Sequence, residues 1–321
     1  MHFPSPLDVR KQRGSTPSNY HIPNVFHIPD YAIVENTLYR YLREPFSFKP
    51  VPASVYPPLS YGGHYRVLLA PQYCPTSTAF LFLISSSPEH VKQRYAIRKT
   101  WGSYFSMVRH PMRFVFVMGR SGSTEVNHDV NYEAARNRDV LQLEVLASQH
   151  NATQILMQAF RWAAVSCSTA KYIVRAHDDS FFYMKGLVTN VLSVAGEAGK
   201  GFYYGSCVDK WEYVRDPKSP YFVPKEMVND DIRWGWCSGS GFVVSADLAP
   251  LIALSSCFVP WISGVPDLEV GKTLAMWGVK PFDVNVDRFT ANHYSQIHES
   301  FRFRYLGFSQ MTPDDLFKMT K

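Results

Sequence analysis

Two adjacent carboxylates and an imidazole follow an apolar segment near the middle of the chain. Residues 171–176 read Lys-Tyr-Ile-Val-Arg-Ala and predict a strand, and His177, Asp178 and Asp179 come next. Adjacent acids at a strand end repel each other, and a divalent cation that also binds phosphate oxygens relieves this repulsion. The pattern therefore indicates a cation site, although acid pairs also occur in ordinary exposed loops.

Another carboxylate lies where residues 265–271, Val-Pro-Asp-Leu-Glu-Val-Gly, predict the start of a helix. Pro266 suits the first helical position, and Asp267 then lies in the first turn. We expect the helix dipole to keep this carboxylate ionised, as a general base at neutral pH requires. An aspartate in a first turn is also a common helix cap, so position alone leaves both roles open.

A third group of residues shares one face of a predicted helix. Arg94, Arg98 and Trp101 are spaced i, i+4 and i+7. Two arginines at this spacing repel each other unless an anion or a carboxylate lies between them. The partner could be the diphosphate of a nucleotide or an acidic residue of the protein, and the spacing does not decide between them.

A small-residue segment, Trp-Cys-Ser-Gly-Ser-Gly, occupies residues 236–241 and precedes a predicted strand at residues 242–244. Its alternating glycines permit close approach by a ligand or by another segment. A tight turn is the alternative explanation of this pattern.

The elements that must position these residues follow an α/β pattern. Further apolar segments at residues 80–84, 114–118 and 201–207 predict strands, and helices are predicted from Ser87-Pro88 and from residue 151 or 153 to residue 165. Alternation of this kind predicts a largely parallel central sheet. Residues 1–77 are rich in Pro, Tyr and Ser and predict a stem or N-terminal arm, whereas residues 78–321 predict the catalytic domain.

Composition narrows the function classes. The 321 residues are 46% apolar, and a net charge of +6 is too small and too dispersed to favour nucleic acid as a partner, whereas an acidic small molecule fits. The five cysteines form no CxxC pair, which argues against a redox motif or a zinc site. No secretory signal and no apolar run of transmembrane length is present, so we expect membrane attachment only through an anchor absent from this sequence.

Taken in order, the motifs resemble those of the β1,3-galactosyltransferase and β1,3-N-acetylglucosaminyltransferase family, which has Fringe as a distant relative. The resemblance covers roughly residues 78 to 318. It is carried by segments similar to RxAIRxTWG at 94–102, FxxG at 116–119, NLT at 151–153, AKYxxKxDDD at 170–179, CSGxGY from 237 and EDVxVG at 266–271. Asn151 begins the single glycosylation sequon of the chain.

The resemblance implies a GT-A fold, in which one domain has a mixed, largely parallel central sheet flanked by helices. It also implies a UDP-sugar donor, a divalent cation that is usually Mn²⁺, and inversion at the anomeric carbon. The roles that carry over are metal binding by Asp179, donor placement by Asp178, proton abstraction by Asp267, nucleotide contacts by Arg94, Arg98 and Trp101, and an acceptor side at Trp236, Ser238 and Gly239.

Three departures from the family pattern concern the metal site and the base. His177 replaces the first acid of DDD, Ser309 aligns with a late histidine that completes the metal site, and Pro266 replaces the glutamate of EDV. Loss of a carboxylate and an imidazole should weaken Mn²⁺ binding. His177 could itself be a ligand, which would favour a softer metal, or it could make the site sensitive to protons.

The sequence therefore predicts an inverting hexosyltransferase of the Golgi lumen, itself a glycoprotein. It would transfer galactose from UDP-galactose, or N-acetylglucosamine from UDP-N-acetylglucosamine, in β1,3 linkage to a glycan on a glycoprotein or glycolipid. A weak or inactive relative that binds glycans or a partner protein is the alternative, motivated by His177 and Ser309. A nucleotide-binding module outside the secretory pathway is a third possibility, which the sequon position disfavours.

Overall fold

Short apolar strands alternate with helices along the described part of the chain. The computed structural model describes residues 66–319 apart from 73, 107–109, 197–198, 210–211, 224, 226–233, 256–261, 263, 283–288, 291 and 298–304. Most of the predicted N-terminal arm lies outside these residues. The predicted boundary between residues 77 and 78 stays a prediction.

The strands are β1 Val67–Leu69, β2 Phe80–Ser85, β3 Met112–Arg120, β4 Val140–Leu146, β5 Tyr172–His177, β6 Phe181–Phe182, β7 Tyr203–Val208, β8 Trp236–Ser245, β9 Phe289–Thr290 and β10 Gly307–Phe308. The α-helices are α1 Val91–Lys99, α2 Thr124–Asn137, α3 Ala152–Ser166, α4 Met184–Ala195, α5 Leu248–Ser255, α6 Pro266–Met276 and α7 Pro313–Lys318.

The main sheet has seven strands in the order β1-β4-β3-β2-β5-β8-β7. The four strands β4, β3, β2 and β5 are parallel, whereas β1 joins one edge and β8 and β7 the other in antiparallel pairing. Strands β6, β10 and β9 form a second, three-stranded sheet, which packs against the first in the same hydrophobic cluster. The predicted α/β class, with a mixed and largely parallel central sheet, is confirmed.

Helices cover both faces of this sheet, as predicted. One hydrophobic cluster joins the sheet to α1, α2, α4 and α7, and a second joins the opposite face to α3, α5 and α6. The strands alternate between the two clusters: in β2, Phe80, Phe82 and Ile84 belong to the first cluster, and Leu81 and Leu83 to the second. Burial of each large side chain contributes about 1.5–3 kcal/mol.

Two predicted elements begin elsewhere. The helix predicted from Ser87 begins at Val91, because Ser87 and His90 close a turn first, with the His90 amide donating to the Ser87 carbonyl at 3.0 Å. The segment from Trp236, for which a tight turn was the alternative, is instead the first half of β8. It is extended because β7 pairs with it, with Cys207 opposite Cys237.

Two disulfides link distant parts of the described chain, Cys74–Cys167 and Cys207–Cys237. The first joins the segment before β2 to the end of α3. The fifth cysteine, Cys257, lies outside the described residues. The longest described helix, α3, has 15 residues, and none of the described helices has the length and apolar character needed to span a bilayer.

Candidate active site

The carboxyl end of β5 directs its polar side chains to one face of the sheet. Tyr172, Val174 and Ala176 pack in the cluster on the α1 side. The strand alternation therefore directs Arg175 and His177 to the opposite face, where α6 packs. The following residues then leave the sheet in other directions, so the consecutive His-Asp-Asp side chains contact three different parts of the protein.

Asp178 contacts the connection between β2 and α1. Its Oδ2 accepts a hydrogen bond from Ser86 Oγ at 2.7 Å and lies 2.9 Å from Nδ1 of His90. The Ser86 hydroxyl also accepts a hydrogen bond from Nη1 of Arg94 at 3.0 Å. The hydrogen bond to the Asp178 carboxylate raises the pKa of His90 above its ordinary value.

Asp179 contacts the segment between β10 and α7. Its Oδ2 accepts from the Gln310 amide at 3.3 Å, and its carbonyl accepts from the Met311 amide at 2.9 Å. Burial and then the charge of Asp178 raise the pKa of the Asp179 carboxyl. Ser309, which stands where the family motif has a histidine, is buried, and its Oγ has no hydrogen-bond partner within the described structure.

His177 is held by the preceding arginine. Its Nε2 lies 3.0 Å from Nη2 of Arg175. Because a guanidinium can only donate, Nε2 must accept and the ring proton is on Nδ1. Burial, and then the positive charge of Arg175, place the pKa of His177 well below its ordinary value. A proton-sensitive site at His177 stays a prediction.

Asp267 lies in the first turn of α6, which begins at Pro266 as predicted. Its Oδ1 is 3.5 Å from Nε of Arg175. A Cβ atom on Gly239 would lie 2.2 Å from Asp267 Oδ2 and 2.9 Å from His177 Nε2, so the carboxylate and the imidazole are neighbours and only glycine fits between them. We expected the helix dipole to favour the ionised carboxylate. Burial outweighs the nearby positive charge and raises the pKa of Asp267, which suits a general base.

The predicted acceptor-side residues line the start of β8. Ser238 Oγ is 3.1 Å from Ser240 Oγ. Trp236 is half-buried and packs closely against α6, since a Cβ on Gly271 would lie 2.5 Å from the Cβ of Trp236. Together with Gly239, these residues lie on the Asp267 side of the site. An acceptor role for Trp236, Ser238 and Gly239 stays a prediction.

Arg94 and Arg98 form ion pairs within the protein. Nε and Nη2 of Arg94 donate to the two carboxylate oxygens of Glu133 at 2.8 and 2.7 Å. Arg98 pairs with Glu133 at 2.7 Å and with Asp139 at 2.8 Å. Of the two partners that the spacing left open, the structure contains the acidic one. A donor contact for these arginines stays a prediction.

Trp101 and Asn151 complete the predicted set. Trp101 is 1% exposed and packs against Phe82, Phe114 and Phe182. Its proximity to the nucleotide stays a prediction. Asn151 immediately precedes α3 and is half-buried, and its Nδ2 donates to the Leu146 carbonyl at 2.9 Å. Glycosylation of this asparagine also stays a prediction.

The oxygen donors at the tip of β5 fit a divalent cation. Asp178 and Asp179 are adjacent carboxylates, Asp179 has no cationic side chain bonded to it among the described residues, and the neighbouring Ser309 hydroxyl is buried without a partner. Hard cations prefer such oxygens. Nε2 of His177 is engaged by Arg175, and a ligand role for this imidazole stays a prediction. No group of three or more metal-binding side chains is preassembled in the described part of the chain.

Sequence reasoning missed three residues of this site. Neither Ser86 nor His90 was singled out in the sequence, because their contacts with Asp178 span 92 and 88 residues. Arg175 carried a visible signal, a charged residue in the middle of an apolar strand. A buried charge of this kind requires a partner, and α6 supplies it.

Comparisons with known proteins find sequence similarity to sugar transferases. A family model described as Galactosyltransferase matches residues 92–285. The human protein named beta-1,3-galactosyltransferase 1 is 27% identical over 251 residues, 78% of this chain and 75% of that protein. The Danio rerio protein named lactosylceramide 1,3-N-acetyl-beta-D-glucosaminyltransferase A is 28% identical over 267 residues, which are 80% of this chain and 69% of that protein. A solved glycosyltransferase involved in glycosylation of the PBCV-1 major capsid aligns at a TM-score of 0.39 and 9% identity, over 75% of this chain and 98% of that one.

Proposed function

The chain belongs to the galactosyltransferase family, and from this premise we propose that it is an inverting hexosyltransferase. It would transfer galactose or N-acetylglucosamine from a UDP-sugar, in β1,3 linkage, to a glycan acceptor on a glycoprotein or glycolipid. The observation that carries the proposal is that the Asp267 carboxylate lies beside His177. His177 is the residue that immediately precedes the Asp178–Asp179 pair in the sequence.

Asp267 is the proposed general base. In the reaction, the acceptor hydroxyl oxygen forms a bond to the anomeric carbon, the bond from that carbon to the UDP phosphate breaks, and the hydroxyl proton passes to a carboxylate oxygen of Asp267. Its raised pKa lies closer to neutral pH than that of an ordinary aspartate, which improves proton transfer. The backbone of Gly239 packs against the carboxylate and hydrogen-bonds it, which a larger residue at this position could not do.

Asp178 and Asp179 are the proposed donor-side residues. They would hold a divalent cation, Mn²⁺ in our prediction, which when bound neutralises the charge of the departing diphosphate. Ser86 and His90 orient Asp178, and the backbone of Gln310 orients Asp179.

The relatives' names support the choice of donor sugars. One is named for galactose transfer and the other for N-acetylglucosamine transfer to lactosylceramide, both in 1,3 linkage. Both relatives are named as transferases, which does not favour a glycan-binding protein without activity. Two disulfides are consistent with an oxidising compartment, and we place the protein in the Golgi lumen.

A donor and acceptor screen tests this function. The full chain is incubated with UDP-galactose or UDP-N-acetylglucosamine, Mn²⁺ and a panel of glycans, and both UDP release and the linkage of the product are measured. We expect UDP release that depends on acceptor and a β1,3-linked product. Absence of both with every donor, acceptor and divalent metal would remove the proposal.

A further inference from the structure

Arg175 places a buried positive charge inside the proposed active site. The residue is 1% exposed, and its guanidinium contacts the site on two sides. Nη2 donates to Nε2 of His177 at 3.0 Å, whereas Nε faces Oδ1 of Asp267 at 3.5 Å. Nη1 donates to the Ala176 carbonyl, which fixes the side chain to its own strand.

The contact between Arg175 and Asp267 is a charge contact without a hydrogen bond. Arg175 Nε and Asp267 Oδ1 are both buried, and neither has a hydrogen-bond partner in the described structure. A buried polar atom without a partner is costly, and native proteins keep few of them away from functional sites. Oδ1 of Asp267 therefore faces a fixed cation and keeps its lone pairs available, whereas the backbone of Gly239 hydrogen-bonds the carboxylate.

Arg175 and His177 both differ from the family motif, and the two differences fit each other. The motif that residues 170–179 resemble has Lys and Asp at the positions of Arg175 and His177. A carboxylate at position 177 would compete with Asp267 for the cation. A neutral imidazole instead holds one nitrogen of the guanidinium, and the planar fork of arginine leaves another nitrogen facing Asp267, which a single ammonium group could not do.

We propose that Arg175 is a positioning residue of the transfer reaction, which acts through Asp267. It holds the Asp267 carboxylate in one orientation and favours its ionised form, and His177 fixes the guanidinium for this purpose. The proposal rests on the proposed function, because it assigns Arg175 a part in deprotonating the acceptor. It also explains why a histidine at position 177 is compatible with activity.

Replacement of Arg175 tests this role. Arg175→Met keeps most of the side-chain length without charge, and Arg175→Lys keeps charge without the fork. We expect Arg175→Met to lower kcat about 100-fold, within the range that general base catalysis contributes, with UDP affinity and donor KM close to wild type. Arg175→Lys should lower kcat by a smaller factor. Arg120→Met, at an exposed arginine that ends β3, is the matched control and should match wild type.

Variants that restore the motif residues Lys and Asp at positions 175 and 177 distinguish a positioning role from a structural one. His177→Asp alone should lower kcat, because the new carboxylate attracts the guanidinium away from Asp267. The double variant Arg175→Lys, His177→Asp should recover activity relative to either single variant. It should also bind Mn²⁺ more tightly than wild type, measured by calorimetric titration without substrate. A purely structural role predicts additive losses and no recovery.

The outcomes distinguish the two proposals. Inactive wild-type protein removes the proposed function and this inference with it. Active wild type with Arg175→Met unchanged in kcat, or with a loss confined to donor KM, removes the inference alone. If Arg175→Met does not fold, as judged by thermal unfolding, the comparison of Arg175→Lys with the double variant decides, and absence of recovery contradicts the proposal.

Discussion

Arg94 and Arg175 are both buried arginines that face a carboxylate, but only one of the two pairs is complete. Arg94 donates two hydrogen bonds to Glu133 and further ones to Ser86 and to backbone carbonyls. Arg175 faces Asp267 at 3.5 Å without a hydrogen bond.

The difference indicates different roles for the two pairs. A buried pair with all hydrogen bonds made holds elements together, here α1 and α2. A pair with unused atoms at the end of a strand leaves those atoms available to a substrate. Loss of Glu133 should therefore affect mainly stability, and loss of Asp267 mainly chemistry. Each prediction below tests this division, starting with the largest expected effect.

Asp267→Asn should have the largest effect on catalysis. The amide keeps the shape of the side chain but cannot accept the proton, so we expect kcat to fall by about 10²- to 10⁴-fold. UDP affinity should stay near wild type. Because burial already disfavours the charge of Asp267, the melting temperature should not fall much. Steady-state kinetics and thermal unfolding measure the two quantities.

Glu133→Gln should have the largest effect on stability. The variant leaves the charges of Arg94 and Arg98 without a shared carboxylate, and breaking a buried pair costs about 3–5 kcal/mol. Urea unfolding measures the change in the free energy of unfolding. Below the transition, kcat per folded molecule should change far less than in Asp267→Asn. Unchanged stability would contradict the scaffold role.

Asp179→Asn should weaken the metal-dependent part of nucleotide binding. We expect UDP affinity in the presence of Mn²⁺ to fall roughly 10-fold, the lower end of the loss seen when a group that supports a bound metal is removed. The remaining affinity should be insensitive to removal of Mn²⁺ by a chelator. Calorimetric titration with UDP, with and without Mn²⁺, measures this. Equal Mn²⁺-dependent affinity of wild type and variant would remove Asp179 from the metal site.

Acidification should have the smallest effect, and it should affect the Arg175–Asp267 pair at a higher pH than the Arg94–Glu133 pair. The pKa of Glu133 is lowered in the folded protein, with burial opposed by Arg94 and Arg98. Its stabilising contribution is therefore present above the unfolded pKa and is lost as pH falls through the lowered folded value. Burial raises the pKa of Asp267 instead. On acidification kcat/KM should fall first, over a pH range in which the Glu133 pair still contributes its stabilisation and protonation of Asp267 does not lower the free energy of unfolding. Loss of both over the same pH range would contradict the division.

The elements were predictable where local sequence determines them. The apolar segments at β2, β3 and β5 and the helix α3 follow from composition and periodicity, and Pro266 marks the start of α6. The segment from Trp236 was assigned no strand, because its extended form depends on β7, about 30 residues away in sequence. Long-range pairing of this kind leaves no local pattern.

The site was predictable in its residue types and not in its contacts. Motif positions singled out Asp178, Asp179 and Asp267, and their joint role in one site stays a prediction. The partners of Arg94 and Arg175 lie 39 and 92 residues away, so spacing alone could not choose between an internal carboxylate and a ligand. The lowered pKa of His177 likewise depends on burial and on one guanidinium, neither of which a motif reports.

A paired measurement on two variants tests the account most directly. The kcat for sugar transfer and the free energy of unfolding are both determined for Asp267→Asn and Glu133→Gln, side by side with wild type. The account predicts that Asp267→Asn loses transfer and keeps its stability, whereas Glu133→Gln loses stability and keeps transfer in its folded fraction. Retained transfer in folded Asp267→Asn would contradict the assignment of Asp267 as the base.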